Sequence, residues 1–388
     1  AAAPLVGVFG GGVAGLACAR ALGEGGVRAV VLERGRSVGG RASTRFAPPE
    51  YSEPRWDHGC QFVSAKSARF SSTCERLLEA GALAEWEGTF GTLDSRHDRF
   101  VEDVKRKRRL VGGATGAMAD LCAQLLHEAE ERGASIVTRA ELLGVAAPDG
   151  AGAGWEARVR RNGATEAMRF DALVATDRAM APVLEAAAPD IAGSMRAAAQ
   201  GAAPSFALML ELATPLEGAP DGIFVAENPV LSWLSKESSK PKRRAGRDGE
   251  GAELWTAHSS AEFAKLVVQE HGMTARGTEA HDAALEHVTS EMLAAVREVT
   301  QAAGWGKLDL LTPPSAHRWG NAFPGPCADA AVAERRVASS PCGTLVACGD
   351  WAAPEGQQGR VEAAYLSGEA AAGALLASLA TAGAGAKL

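Results

Sequence analysis

Gly10-Gly11-Gly12-Val13-Ala14-Gly15 places three glycines at G-x-G-x-x-G spacing, and Glu33 follows eighteen residues after the last of them. Together these residue types suit a dinucleotide. Gly10 permits a tight turn, Gly12 lets backbone approach a diphosphate, and Gly15 lets a helix pack closely on a strand. Unpaired N–H groups at a helix N-terminus, with the positive end of the helix dipole, would then hold the anion. A carboxylate at position 33 can accept from ribose hydroxyls, and it favours a free 2′-hydroxyl, as in FAD or NAD, over a 2′-phosphate. The spacing alone is weak in a chain with 45 glycines, because an ordinary turn can carry the same letters.

The surrounding elements strengthen it. Leu5–Phe9 is an apolar run of strand type, residues 17–22 read as helix, and residues 27–32 form a second buried-strand run ending at Glu33. Six residues past Glu33 comes Gly39-Gly40-Arg41-Ala42-Ser43-Thr44-Arg45, a second element that an NAD-only fold does not need.

Further along, residues 67–84 read as helix, 118–132 as helix, and 136–145, 155–160, 168–170 and 171–176 as strands. Residues 206–212, 223–225, 231–234 and 253–258 supply a further β-rich layer, with helices at 261–269 and 281–302. Residues 344–348 form a strand running into Gly349-Asp350, and residues 360–379 form a last helix. The pattern predicts a discontinuous first domain, residues 1–65, 105–178 and 335–388, into which residues 66–104 and 179–334 insert as an α+β substrate domain.

The 388 residues suffice for two cores, and a net charge of -7 argues against nucleic acid as the main partner. No uninterrupted apolar run of membrane-spanning length is evident in the sequence. Seven cysteines without a C-x-x-C pair point to free thiols in a reducing intracellular compartment. The start at Ala1-Ala2-Ala3 without methionine is compatible with a removed targeting segment, which makes the chloroplast a candidate compartment beside the cytoplasm. Eight histidines show no metal-ligand spacing, so no metal is expected, and no G-x-S-x-G elbow suggests a hydrolase. The basic runs at 105–109 and 236–247 read either as solvated loops or as contacts to an anionic surface of a larger complex.

In order along the chain, Gly10 to Gly15, Glu33, Gly39-Gly40-Arg41, Asp57-His58-Gly59-Cys60-Gln61-Phe62, Ser239-Lys240-Pro241, Trp255-Thr256-Ala257-His258, His317-Arg318-Trp319, Gly349-Asp350-Trp351 and Val361-Glu362-Ala363-Ala364 resemble renalase and the renalase-like branch of the FAD-dependent amine oxidases. The resemblance covers nearly the whole chain. It implies an α/β fold with a discontinuous, glutathione-reductase-type, Rossmann-like FAD domain. It also implies FAD contacts at Gly10, Gly12, Val13, Ala14, Gly15, Glu33, Arg34, Gly40, Leu142 and Gly349. Arg41 would lie beside the pyrophosphate, Cys60 and Gln61 along the flavin ring, Asp350 on the ribityl chain, and Arg360, Val361 and Glu362 at the flavin N1 and O2 edge. Cys60 reads equally well as an inert buried thiol. Residues 354–359 contain no cysteine, so the FAD is expected to be non-covalent. Asp177 stands where the family usually has proline.

For chemistry, the resemblance makes His258 the first candidate to face the flavin, with Trp233 and Trp319 as pocket walls; a structural histidine on a core strand is an equal reading. His317 reads as structural. The implied activity is hydride transfer from a small reduced nitrogen compound to flavin N5, with O₂ as acceptor. The rival reading is a catalytically silent flavoprotein fold used as a docking factor.

Overall fold

The computed structural model describes residues 3–46, 54–105, 107–148, 154–243 and 252–385. Leu5–Phe9 sits in the middle of a six-stranded sheet, parallel to Arg28–Glu33 on one side and to Ala172–Ala175 on the other. Ser135–Thr138 and Leu345–Ala347 extend the parallel sheet in the two directions, and Ala338–Ser339 closes one edge antiparallel. Strands covered on both faces need apolar residues on both faces, and Val6, Val8, Val31, Val174 and Val346 are all fully buried.

One face carries the helix Val13–Glu24, the helix Ala119–Glu130 and the terminal helix Val361–Gly385, around Leu16, Leu22, Leu121, Leu125 and Leu375. The other face is covered by the antiparallel meander Ala140–Ala146, Trp155–Arg161 and Ala164–Phe170 and by the helix Pro189–Gln200, whose Trp155, Phe170, Ile191 and Met195 share a second core with Trp351.

A seven-stranded mixed sheet forms the second unit, with Ala203–Leu212 between Ser315–Phe323 and Glu253–Ser259, followed by Leu231–Lys236, Gly222–Ala226, Phe90–Asp94 and Arg99–Glu102. The helices Ala261–His271 and Glu279–Ala302 bury Val267, Val288, Met292 and Val296 against its Leu208 and Leu210. Both begin on side-chain caps: the Ser260 and Thr278 hydroxyls accept from the N–H groups of Phe263 and His281.

Several expected elements are shorter or divided. The helix expected over 67–84 is Ala68–Glu79; Gly81, at φ 71°, turns the chain out of it, and Leu83–Glu85 is a strand paired with Leu110–Gly112. Phe70 of that helix packs on Tyr365, with ring centroids 5.5 Å apart, so residues 68–79 lie with the first unit rather than with the inserted sheet. The strand expected over 136–145 breaks at Arg139, φ 56°; its first part joins the parallel sheet and its second the meander. Contrary to the reading that no segment is long and apolar enough to span a membrane, Val361–Thr381 meets that measure at mean hydropathy 1.2. It packs as a core helix: Gly368 lies so close to the loop helix that an added Cβ would come within 2.1 Å of the Ala14 carbonyl, and Glu369 pairs with Arg69.

Candidate functional site

The glycine turn lies at the carboxyl end of Leu5–Phe9, between neighbouring strands that lead away in opposite directions, which is where open parallel sheets bind ligands. Gly10 adopts φ 111°, and a Cβ there would meet the Thr176 hydroxyl at 2.1 Å. A Cβ at Gly12 would meet nothing within 4 Å, so this backbone faces open space. The second glycine pair closes over it. Gly39 donates to the Gly11 carbonyl at 2.9 Å, and Gly40, at φ 52°, stands over Gly12. Val13 and Ala14 are buried at the helix start. Glu33 lies beside the turn, its carboxylate accepting from the N–H groups of Gly11 and Gly35. A carboxylate has about four lone-pair positions, so Glu33 can brace the loop and still accept from a sugar hydroxyl. Arg34 next to it is exposed.

Arg41 and Asp350, from opposite ends of the chain, form a two-pronged ion pair with contacts of 2.7 and 2.6 Å. Asp350 also accepts from the Gly359 N–H at 3.1 Å, tying the pair to the start of the terminal helix at Val361. Burial opposes ionisation of Asp350, yet Arg41 and Arg178 hold its carboxyl below the usual range. Arg178 is 3 % exposed, and its Nε and one Nη have no hydrogen-bond partner among the described residues. Burial and then Arg41 push its pKa down. Asp350 and Asp177 offset the two guanidiniums in charge, but the buried Arg178 donors still lack an acceptor among the described residues, two positions past Thr176, which contacts Gly10. A diphosphate fits that deficit.

The loop expected along a flavin ring is fixed by a buried charge network. Asp57 and Glu237 pair with Lys240 and Arg243, with Lys240 Nζ at 2.9 Å from Asp57 and 2.8 Å from Glu237, and Arg243 at 2.6 Å from Asp57. All four side chains are fully buried. Asp57 further accepts from the Thr44 hydroxyl and the Met118 N–H. Burial would raise its pKa, but Arg243 and Lys240 draw it below the ordinary carboxylate value. Gln61, expected at the cofactor, spends its side chain here: its amide donates to the Asp57 carbonyl and accepts from Ser235 at 2.6 Å. Glu362 is likewise committed, accepting from the N–H groups of Lys66 and Ser67 at 3.0 and 2.8 Å, which leaves the helix backbone rather than its carboxylate near position 361.

His58, the next residue in the loop, gathers three of the expected residues around it. The Trp319 indole donates to its carbonyl at 2.8 Å, and His258 is held by its backbone. The His58 ring stacks on Trp319 at 5.0 Å and edge-on to His317 at 4.7 Å. Burial takes the His258 pKa down to about 4, and burial with Arg45 takes His58 to about 3. Both rings are therefore neutral at pH 7. His258 Nε2, His58 Nδ1 and Trp233 Nε1 are buried without partners among the described residues, and Trp233 pairs directly with His258 across neighbouring strands. Trp233 also packs on Phe62 and Phe224, at 5.8 and 4.6 Å. Arg45, Arg276 and His58 itself were not singled out from sequence; only their place around His317 and Trp319 marks them.

Cys60 donates to the Phe62 carbonyl at 3.4 Å, and burial pushes its thiol up to about 12, the behaviour of an inert thiol. Leu142 is buried in the core shared by Phe9 and Leu32. Arg360 precedes the terminal helix and its carbonyl accepts from Ala364 at 3.1 Å. The described parts of the two basic runs are divided: Arg109, Lys240 and Arg243 are buried on Asp103 and on the buried acids and Lys236 pairs with Glu253, whereas Lys105, Lys107 and Lys242 are exposed and Arg108 pairs with Glu75 and Glu85 at the surface. Residues 106 and 244–247 of those runs lie outside the described residues. The expectation of no metal-binding group also needs amending, because Glu270, His271 and His287 offer ligand atoms within 4.8 Å of one another. They come from two helices, so no sequence spacing announces them.

A family model described as an NAD(P)-binding Rossmann-like domain matches residues 8–77. Among solved structures, a redesigned putrescine oxidase superposes with a TM-score of 0.62 at 14% identity, over 96% of this chain and 99% of that one. An oxidoreductase from Methanosarcina mazei gives 0.60 at 12%, over 94% and 98%. Aklavinone-11 hydroxylase, solved with FAD and aklavinone, gives 0.54 at 15%, over 97% of this chain but 63% of that one, so this chain spans less than two-thirds of that protein's length. The fold is therefore the one shared by FAD-dependent oxidoreductases. At these identities the likeness is one of fold.

Proposed function

We propose that this chain is an FAD-dependent oxidoreductase acting on a small reduced nitrogen compound, either a renalase-like dihydronicotinamide or an amine. The observation that carries the proposal is the glycine cradle at the carboxyl end of Leu5–Phe9, where the sheet's strand order reverses, with the Arg41–Asp350 pair and the buried, unpartnered Arg178 donors close to that pair supporting it. Gly10, Gly12 and Arg41 would hold the diphosphate, Glu33 a ribose, and Asp350 the ribityl hydroxyls. FAD bound there supplies the hydride acceptor, and O₂ is the proposed reoxidant.

The chain's own part is to orient the substrate and hold its proton. His258, neutral at pH 7 with Nε2 free of partners, is the group to accept a proton from the substrate nitrogen. The Trp233 N–H beside it would fix the substrate's acceptor side, while the Trp319 and His58 rings exclude water. A cage of two tyrosines is not supported: Tyr365 packs under Phe70 with its hydroxyl 3.3 Å from Arg20, and Tyr51 lies outside the described residues. The dihydronicotinamide reading is accordingly preferred to a classical amine oxidase.

Stopped-flow bleaching of the flavin absorbance by isomeric dihydronicotinamides, amines and NAD(P)H tests the proposal. Rapid bleaching by a dihydronicotinamide, slowed about 10²-fold or more in His258→Gln, is the expected result. A flavin that none of these reduces, or a protein that takes up no flavin, would sink it.

A further inference from the structure

His317 is 7 % exposed, and each of its two ring nitrogens faces a guanidinium. Nδ1 lies 3.4 Å from an Arg45 Nη and Nε2 lies 3.3 Å from an Arg276 Nη. A neutral imidazole has one N–H and one lone pair, whereas guanidinium nitrogens only donate. Only one of these contacts can therefore be a hydrogen bond; the other sets donor against donor. Protonation would make matters worse, since both nitrogens would then donate toward cations. Burial, His58 and the two arginines keep the ring neutral, with a pKa near 2.

The surrounding charge adds to this conflict. Among the described residues, neither Arg45 nor Arg276 has a carboxylate partner, and both are exposed. Arg318 turns to the Thr274 carbonyl and hydroxyl, and Arg36 is close enough to Arg45 to lower its pKa. Arg45 and Arg276, without a carboxylate among the described residues and set against a histidine that cannot accept from both, want a further acceptor. The place is connected to the pocket. His317 stacks on Trp319 at 4.6 Å and on His58 at 4.7 Å, and the carbonyl of His58 holds Trp319.

We propose that Arg45, Arg276 and the His317 N–H form an oxyanion-binding site at the edge of the His58–Trp319 pocket, which takes a carboxylate or phosphate group of the substrate. An oxyanion seated between the imidazole N–H and the guanidinium that it faces accepts from both, while the other guanidinium donates to the ring's lone pair, converting the donor conflict into three hydrogen bonds. The ring layer of His317, Trp319 and His58 then links the anionic end of the ligand to the end beside His258. That the ligand is the substrate rests on the oxidoreductase reading; that the site binds an oxyanion does not.

The test is calorimetric titration of the flavin-loaded protein with inorganic phosphate and, separately, with acetate, at constant ionic strength maintained with chloride. The expected result is saturable binding of at least one probe, weakened about 10-fold or more in Arg45→Ala and in Arg276→Ala and partly restored in Arg276→Lys, with Arg169→Ala as an unaffected control. Tighter binding of phosphate than of acetate would mark a phosphorylated ligand, and the reverse order a carboxylate; either supports the site. Absence of saturable binding, or equal binding by all variants, overturns it. The flavin absorbance of each sample keeps the two readings apart. A protein without flavin that still binds oxyanions through these arginines removes the oxidoreductase reading alone, and a flavin-loaded protein that binds none removes this site alone.

Discussion

Among single residues, Arg178 carries the most unbalanced chemistry. A buried guanidinium with orphaned donors is costly unless an anion completes it, and hydrogen bonds to charged groups contribute about 1.5–3 kcal/mol each. Arg178→Ala should therefore weaken FAD binding about 10- to 100-fold with little loss of fold stability, read by fluorescence titration of the stripped protein. Unchanged affinity would mean that Arg178 answers some other charge. Sequence could not single it out, because burial and the lack of a partner appear only when residues 41, 178 and 350 converge. The glycine turn and Glu33 were legible for the opposite reason: their geometry is local, fixed by spacing between one strand and the next. Gln61 and Glu362 show the limit of legibility even within a motif, since both lie where the pattern expects them but their side chains serve the Asp57 network and the start of the helix Ala68–Glu79.

At the scale of elements, the crossing of the terminal helix over the loop helix sets how the phosphate turn is held. Gly368 allows that approach, because a Cβ there would lie 2.1 Å from the Ala14 carbonyl and 3.1 Å from the Ala17 Cβ. Gly368→Val should cost about 1–3 kcal/mol by overpacking and should also weaken flavin retention, because the displaced backbone belongs to the turn. Urea midpoints and flavin content measured on the same samples check both effects; a variant matching the parent in both would show a looser crossing. The buried parallel strands and long helices were readable because their apolar runs are continuous. The hairpin 90–102 and the strand Ser315–Phe323 were not, since only His317 and Ala322 of the latter are buried and its residues include no long apolar run. The division at Arg139 escaped for another reason: a positive φ at arginine has no sequence signature, and it alone turns one apparent strand into two.

Across the whole molecule, the two units are joined by a charge-balanced core of Asp57, Glu237, Lys240 and Arg243, which binds the first unit's loop to the turn after Leu231–Lys236. Removing Lys240 leaves two buried carboxylates to Arg243 alone, one negative charge in excess, so Lys240→Met should destabilise the protein by about 3–5 kcal/mol, read from urea unfolding at pH 7. A loss under about 1 kcal/mol would mean that water reaches the network. The buried histidines give stability a separate dependence on pH. His58 and His317, 5 % and 7 % exposed, have folded-state pKa values of about 3 and about 2, against about 6.5 for an unfolded histidine. Between those values the unfolded chain binds more protons than the folded one, so stability must fall as the pH drops below about 6.5 and be fully present above it. By pH 5 each ring accounts for about 2 kcal/mol of loss, at 1.36 kcal/mol per unit of displaced pKa. Asp57 and Asp350 act in a different window, because carboxyls held below their ordinary pKa lose their contribution only as the pH falls through the acid range beneath it. With His258, whose pKa of about 4 places it in the window of His58 and His317, unfolding free energies should therefore slope by about three protons as the pH approaches 5, and His317→Asn should remove about one of them. A flat profile would place these rings in contact with water, and with it would go the dry pocket on which hydride chemistry at His258 depends.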